Sequence, residues 1–226
     1  SAHISLSETE YFSRIAAEGS LGERIWLRCD DDFLCDYSAR TDVRRPVPEI
    51  GSLDGVASHL LPTDTVRYLM PSRYCPSDEL QSFVSAEFGE LSGGVRIAAM
   101  RDWIHDKFQY VAGSSTGQTT ALDTFVQRQG ICRDFAHVLI CLARASAIPA
   151  RFASVYAPDV SPPDFHAMAE VFLDGAWHLV DATGMAQADA AAVIGVGLDA
   201  AEVAFLSSYG AMQLISQSVD VSVVQE

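Results

Sequence analysis

The chain has 226 residues, 49% of them hydrophobic and 20% charged, a globular composition well clear of the disordered class. At this length roughly 70% of the unfolded surface can be buried, so a core needs no disulfide or metal staple. Fifteen Lys and Arg stand against 30 Asp and Glu, a net charge of −15, and a field of that sign repels phosphate backbones and anionic membranes.

Nucleic acid and membranes are therefore not expected as partners. Arg144 interrupts the longest apolar run, which leaves nothing long enough to span a bilayer. The five cysteines, Cys29, Cys35, Cys75, Cys132 and Cys141, are odd in number and irregularly spaced, unlike a dense secreted disulfide framework. Free thiols in a reducing compartment, the cytoplasm, are the expectation. Ser1-Ala2-His3 carries no basic n-region and no apolar stretch follows, although the missing initial Met leaves a trimmed leader, and hence export, open.

Residues 1–70 read as a small, irregular β-rich region. A helical turn or two is expected around residues 8–18. Residues 24–28 and 39–43 carry β-formers on either side of the acidic Asp30-Asp31-Asp32, and Pro46 and Pro48 confine any strand there to an edge or end it. Residues 71–226 form the second unit, entered through the loop Pro71-Ser72-Arg73-Tyr74-Cys75-Pro76-Ser77. Ser77-Asp78-Glu79 starts a helix backed by Leu80 and Phe83, and Gly93-Gly94 breaks the pattern. Ile97, Met100, Arg101 and Ile104 then fall at helical spacing over 95–108, followed by a polar loop at 113–120.

The informative stretch is 121–184. Phe135, Val138, Leu139 and Leu142 lie at i, i+3, i+4 and i+7, the mark of an amphipathic helix, which Ile148-Pro149 stops. Three β-like runs follow at 150–156, 166–173 and 176–181. Asp174-Gly175 between the last two is a hairpin signal, because a two-residue type I′ turn wants positive φ at both positions. A helix followed by an antiparallel sheet makes this an α+β domain.

Cys132 falls at the start of that helix, just after Gly130. Unpaired backbone N–H groups and the macrodipole favour negative charge there, which suits a thiolate and can serve an oxyanion. The competing reading is a small buried hydrophobe, as expected of Cys141 in mid-helix. With Asp174 and Gly175 as the loop, Leu173 pairs with Ala176, Met168 faces position 181, and His166 faces Thr183. His166 and Asp181 then share a face one diagonal step apart, about 7–8 Å at the backbone and within side-chain reach. In that arrangement a carboxylate holds one ring nitrogen and turns the other toward a nucleophile. Singly, His166 reads as a loop-edge residue after Pro162-Pro163-Asp164, and Asp181 as a strand-end residue bonded to nearby backbone.

Four blocks carry a resemblance: Gly130-Ile131-Cys132-Arg133-Asp134-Phe135-Ala136-His137, Ile148-Pro149-Ala150-Arg151, Phe165-His166-Ala167-Met168-Ala169-Glu170-Val171 and Trp177-His178-Leu179-Val180-Asp181-Ala182-Thr183. Together they resemble the transglutaminase-like superfamily, most closely its bacterial cysteine-protease branch. The resemblance covers about residues 70–210. It implies a papain-like core over 71–226 with a catalytic triad of Cys132, His166 and Asp181, no cofactor, and a remnant of that branch's N-terminal β domain in the preceding stretch. Met168, where the family often has an aromatic residue, and Asp181-Ala182-Thr183, where Asp-Pro-Thr is common, depart from the pattern; Met168 bears on the pocket wall.

Among the remaining polar residues, Glu170 shares the His166 face and is expected to pair with an arginine such as Arg151. Asp134 is expected to support the helix N-terminus, and His137 to be a packed polar residue. A second oxyanion donor beside the Cys132 N–H should exist, with Gln127, Tyr110 and Trp103 as unranked candidates. The leading reading is a thiol enzyme that forms a thioester from a peptide or protein amide and passes the acyl group to water, as a peptidase or amidase. Transfer to an amine, as a transglutaminase, is the alternative. A metal site of Cys132, His137 and His166 lacks close ligand spacing, and a non-catalytic binding module would typically have lost a triad member. The oligomeric state is not written in the sequence.

Overall fold

The computed structural model of the chain describes residues 2–7, 9–17, 19 and 21–224. Its first four strands form a nested ribbon. β2 (Tyr11–Ala16) pairs antiparallel with β3 (Glu23–Arg28), and β1 (Ala2–Leu6) with β4 (Cys35–Ala39). The β-rich character expected of this region is present, with two corrections. Residues 11–16 are strand, not helix, because Phe12 finds Leu27 and Arg14 finds Ile25 across the ladder, and cross-strand pairing of β-formers outweighs a weak local helical pattern. Residues 8 and 18, the ends of the expected helical stretch, lie outside the described residues. The strand after the acidic cluster is 35–39, and residues 40–49 carry no regular element.

The helices are α1 (Thr63–Val66), α2 (Gln81–Phe88), α3 (Gly93–Lys107), α4 (Ala121–Gln127) and α5 (Cys132–Ala145). Gly93-Gly94 opens α3 instead of interrupting the chain before it. Gly93 holds φ at +52°, and a Cβ on Gly94 would fall on the Ile50 carbonyl oxygen, so the pair lets the helix start against the backbone of residues 50–53. Between the helices, β5 (Gln109–Tyr110) and β6 (Gln129–Gly130) make a two-residue parallel pair directly before α5.

β7 (Ala150–Tyr156), β8 (His166–Leu173), β9 (Ala176–Val180) and β10 (Ala192–Gly197) form one antiparallel sheet in the order β10-β7-β8-β9. The β8–β9 register is the expected one, Leu173 with Ala176 through Ala169 with Val180. Asp174 and Gly175 supply the turn at φ +48° and +75°, the positive pair that a type I′ hairpin requires. Pairing stops at Val180, so Asp181 leaves the strand as its first free residue. β10 has no counterpart in the sequence expectations. Its glycines and a register shift between Val193 and Gly195 blur the period-2 pattern that would reveal it.

One core cluster joins α2, α3, α4 and α5 to the face of the sheet bearing Ala167, Ala169 and Val171. A smaller one covers the opposite face with Ala153, Val155, Met168, Leu179 and Val196. α5 lies between the helical layer and the sheet, and residues 134–144 are buried without interruption. It is therefore a central helix, not the one-sided amphipathic helix that the spacing of Phe135, Val138 and Leu142 describes. Its polar members are buried with partners: Arg144, for instance, donates to the Met70, Ala150 and Leu198 carbonyls and to Ser72 Oγ. No helix among the described residues is long and apolar enough to cross a membrane.

Candidate active site

Cys132 is the first residue of α5, and the elements around it hold that terminus in place. Asp134 accepts the Ile131 N–H at 2.9 Å through Oδ2 and the Ser115 hydroxyl at 2.9 Å through Oδ1. This is the support expected of it, a carboxylate at the positive end of a helix. Arg133 donates to the Thr116 and Thr119 carbonyls at 2.8 and 2.9 Å and so fastens the polar loop at 113–120 to the same turn. Behind it, the Val111 N–H donates to the Gly130 carbonyl at 2.9 Å.

His166 enters β8 from the loop, and its side chain is almost wholly buried. Its Nε2 lies 3.0 Å from Asp181 Oδ2. The β8–β9 register thus brings His166 and Asp181 together, as expected. Nδ1 is buried without a closed hydrogen bond, and the ring interacts with the Cys132 thiol, so the nitrogen left free by Asp181 is the one available to sulfur. Burial on its own would push the imidazole down, but the Asp181 hydrogen bond and the neighbouring Cys132 outweigh it and hold the ring up at about 9. Asp181 in turn accepts the Thr183 N–H at 2.8 Å, the Thr183 hydroxyl at 2.7 Å and the Ala186 N–H at 2.9 Å. Burial opposes its charge, yet His166, Thr183 and the Ala186 N–H keep the carboxyl below the usual carboxylate range.

The remaining thiols sit apart from this arrangement. Cys75 and Cys141 are fully buried, and burial, then the hydrogen bond to Cys75, pushes the Cys141 thiol well up. Cys29 and Cys35 belong to the N-terminal ribbon and its loop. His137 is packed, as expected. It stacks on Tyr74 at 5.3 Å, its Nε2 accepts the Ala200 N–H at 3.2 Å, and burial, then the Arg133 charge, lowers it to about 3. With that nitrogen occupied, His137 does not join Cys132 and His166, and no cluster of three or more metal-ligating side chains occurs among the described residues. Glu170 pairs with Arg151 at 2.7 Å in the interior, the partner proposed for it. Met168 is buried in the second core.

Of the three oxyanion candidates, two point elsewhere. Trp103 packs among Phe83, Phe108 and Phe125 under the Arg128 guanidinium, and Gln127 is exposed at the end of α4. Of the three, Tyr110 approaches Cys132, its hydroxyl beside both the thiol and the backbone N–H. The nearby backbone bonding expected of a strand-end Asp181 is present; what sequence reasoning missed is the Thr183 hydroxyl. The spacing Asp-x-Thr, with a hydroxyl two residues beyond a carboxylate that leaves a strand, was the available signal for a local side-chain turn.

A model of the transglutaminase-like superfamily matches residues 83–182, a span that includes Cys132, His166 and Asp181. Among solved structures, the crystal structure named as that of "a Putative Cysteine Protease" from Cytophaga hutchinsonii is 32% identical, with a TM-score of 0.81, over 90% of this chain and 72% of that one. An uncharacterized protein of Mycobacterium leprae is 28% identical over 89 residues, 39% of this chain and 32% of that protein. An uncharacterized protein of Mycobacterium bovis is 32% identical over 74 residues, 33% of this chain and 24% of that protein. The match thus spans a quarter to a third of the length of these two mycobacterial relatives.

Proposed function

From the chain's membership of the transglutaminase-like superfamily, we propose that it is a thiol-dependent acyl-transfer enzyme acting on peptide or protein amides, with Cys132 as nucleophile, His166 as acid and base, and Asp181 as the orienter of the ring. The observation that carries the reading is the Asp181–His166 contact of 3.0 Å, which leaves Nδ1, buried without a closed hydrogen bond, as the nitrogen available to a cysteine at a helix N-terminus. In the first half-reaction Sγ, its proton already on His166 Nδ1, bonds to the amide carbon. The tetrahedral intermediate then collapses, the C–N bond breaks, and the same proton leaves with the amine. A thioester remains on Cys132. Water enters next, gives its proton to Nδ1 and its oxygen to the acyl carbon, and the thiol is restored as the carboxylic acid departs.

Asp181 keeps its charge throughout, and that charge steadies the imidazolium formed at each step. The acyl acceptor is the open choice in this chemistry, and hydrolysis is the reading proposed. The net charge of −15 fits a protein or peptide substrate better than nucleic acid. Incubating the protein with casein and a fluorescent primary amine tests the whole reading. New N-termini that depend on Cys132, without amine incorporation, are expected. Amine incorporation in preference to cleavage would turn the assignment to transglutaminase. Undiminished turnover in Cys132→Ala would end the thiol reading altogether.

A further inference from the structure

We propose that the Tyr110 hydroxyl is the second oxyanion donor of the Cys132 site, an inference that rests on the thiol reading above. When Sγ adds to a carbonyl, negative charge develops on the carbonyl oxygen, and two converging donors stabilise it far better than one. The Cys132 N–H, unpaired at the first turn of α5, is the first. Tyr110 arrives at the same place by a short and rigid route. β5 and β6 pair Tyr110 with Gly130, two residues before the nucleophile, and the Val111 N–H closes the ladder on the Gly130 carbonyl. The Tyr110 ring packs against Phe135 on α5, centroid to centroid 6.1 Å. Its hydroxyl therefore ends next to both the sulfur and the N–H of Cys132.

Before substrate arrives, the phenol oxygen lies beside the unpaired Cys132 N–H. A carbonyl oxygen that enters beside this N–H displaces the phenol slightly and then accepts hydrogen bonds from both, the N–H and the Tyr110 O–H. Tyr110 is about half exposed, so its ring has room for that small displacement. Burial, then the Cys132 charge, raises the phenol to about 12, and a phenol that stays protonated remains a donor over the whole working range. No covalent change falls on Tyr110 at any step.

Two small electrophiles separate this role from a merely structural one. p-Nitrophenyl acetate acylates a thiol through a tetrahedral oxyanion, whereas iodoacetamide alkylates it by direct displacement with none. In Tyr110→Phe the acetylation rate of Cys132 should fall about 10²-fold, the loss typical of one missing oxyanion donor. The iodoacetamide rate and its pH profile should stay within about threefold of the parent, which also reports that the variant site is intact. Equal losses with both reagents would overturn the proposal, because Tyr110 would then act on the thiol itself. An acetylation rate within about threefold of the parent would overturn it as well. Failure of Cys132 to acetylate in the parent protein would instead remove the thioester reading, and this inference with it.

Discussion

His166 and Asp181 are informative because each is held by more than the other. Asp181 accepts four hydrogen bonds, one of them from the imidazole, so its position survives the loss of any single donor, but its charge does not survive substitution. Asp181→Asn keeps the shape and removes the charge that holds His166 at about 9. Turnover should fall about 10²- to 10⁴-fold, in line with other oriented-base triads. The pH profile should move with it. On the proposed mechanism the parent's activity needs a proton on His166 for the leaving amine and should decline as pH rises through about 9; in Asp181→Asn that decline should begin at a lower pH. Thr183→Ala deletes one donor to Asp181 Oδ1 and leaves the Thr183 and Ala186 N–H groups in place, so about a tenfold loss is expected, the scale of one hydrogen bond to a charged group. Steady-state kinetics of the two variants across pH decide the matter. Near-normal turnover in Asp181→Asn, with the fold intact, would place the orienter elsewhere.

At the scale of elements, the placement of Cys132, the proposed nucleophile, depends on Gly130. A Cβ on Gly130 would meet Asp134 Cβ at 2.8 Å and Thr124 Cγ2 at 3.2 Å, too close without movement of the carboxylate that caps α5. Gly130→Ala should cost about 1–3 kcal/mol, the usual range for overpacking, and should depress turnover beyond its effect on folding by shifting the Cys132 N–H. Urea denaturation beside kcat measures both; a stable variant with parental kcat would show that the cap tolerates the displacement. The hairpin was legible in the sequence. Asp174-Gly175 leaves one comfortable turn type, and a period-2 strand admits no half-step slip, so two local rules fixed His166 and Asp181 on one face. What escaped the sequence depends on distant partners. The strand at 11–16 needs residues 23–28 to exist as a strand, the burial of α5 on every side needs both layers in place, and β10 forms only because β7 offers it an edge. Tyr110 stood among three equal candidates until the β5–β6 pairing placed it, a two-residue contact that no periodicity announces.

The whole molecule carries opposed titrations whose balance sets where it is most stable. His137 is held at about 3 by burial and by the Arg133 charge, against about 6.5 in an unfolded chain. Between those values the unfolded chain binds a proton that the folded one refuses, so stability falls as pH drops below 6.5. Asp181 and Asp199, both held below the usual carboxylate range, add losses of the same sign once pH falls below their unfolded value toward their folded ones. His166 acts the other way. With its folded value raised to about 9, its contribution is complete below 6.5 and disappears as pH rises through 9. The fold should therefore be most stable near pH 6.5, with each limb sloping at up to about 1.4 kcal/mol per pH unit for each proton involved. Self-repulsion in a chain of net charge −15 also grows toward alkaline pH, so the alkaline limb needs a control. His166→Gln removes the titrating ring and keeps a polar side chain opposite Asp181. Between pH 6.5 and 9 its urea-unfolding free energy should decline less steeply than the parent's, by about one proton's worth, while the acid limb set by His137 stays as it was. Parallel alkaline slopes in parent and variant would mean that His166 is not held in its charged form by the fold, and a parent whose stability climbs steadily from pH 6.5 to 9 would contradict the raised imidazole outright.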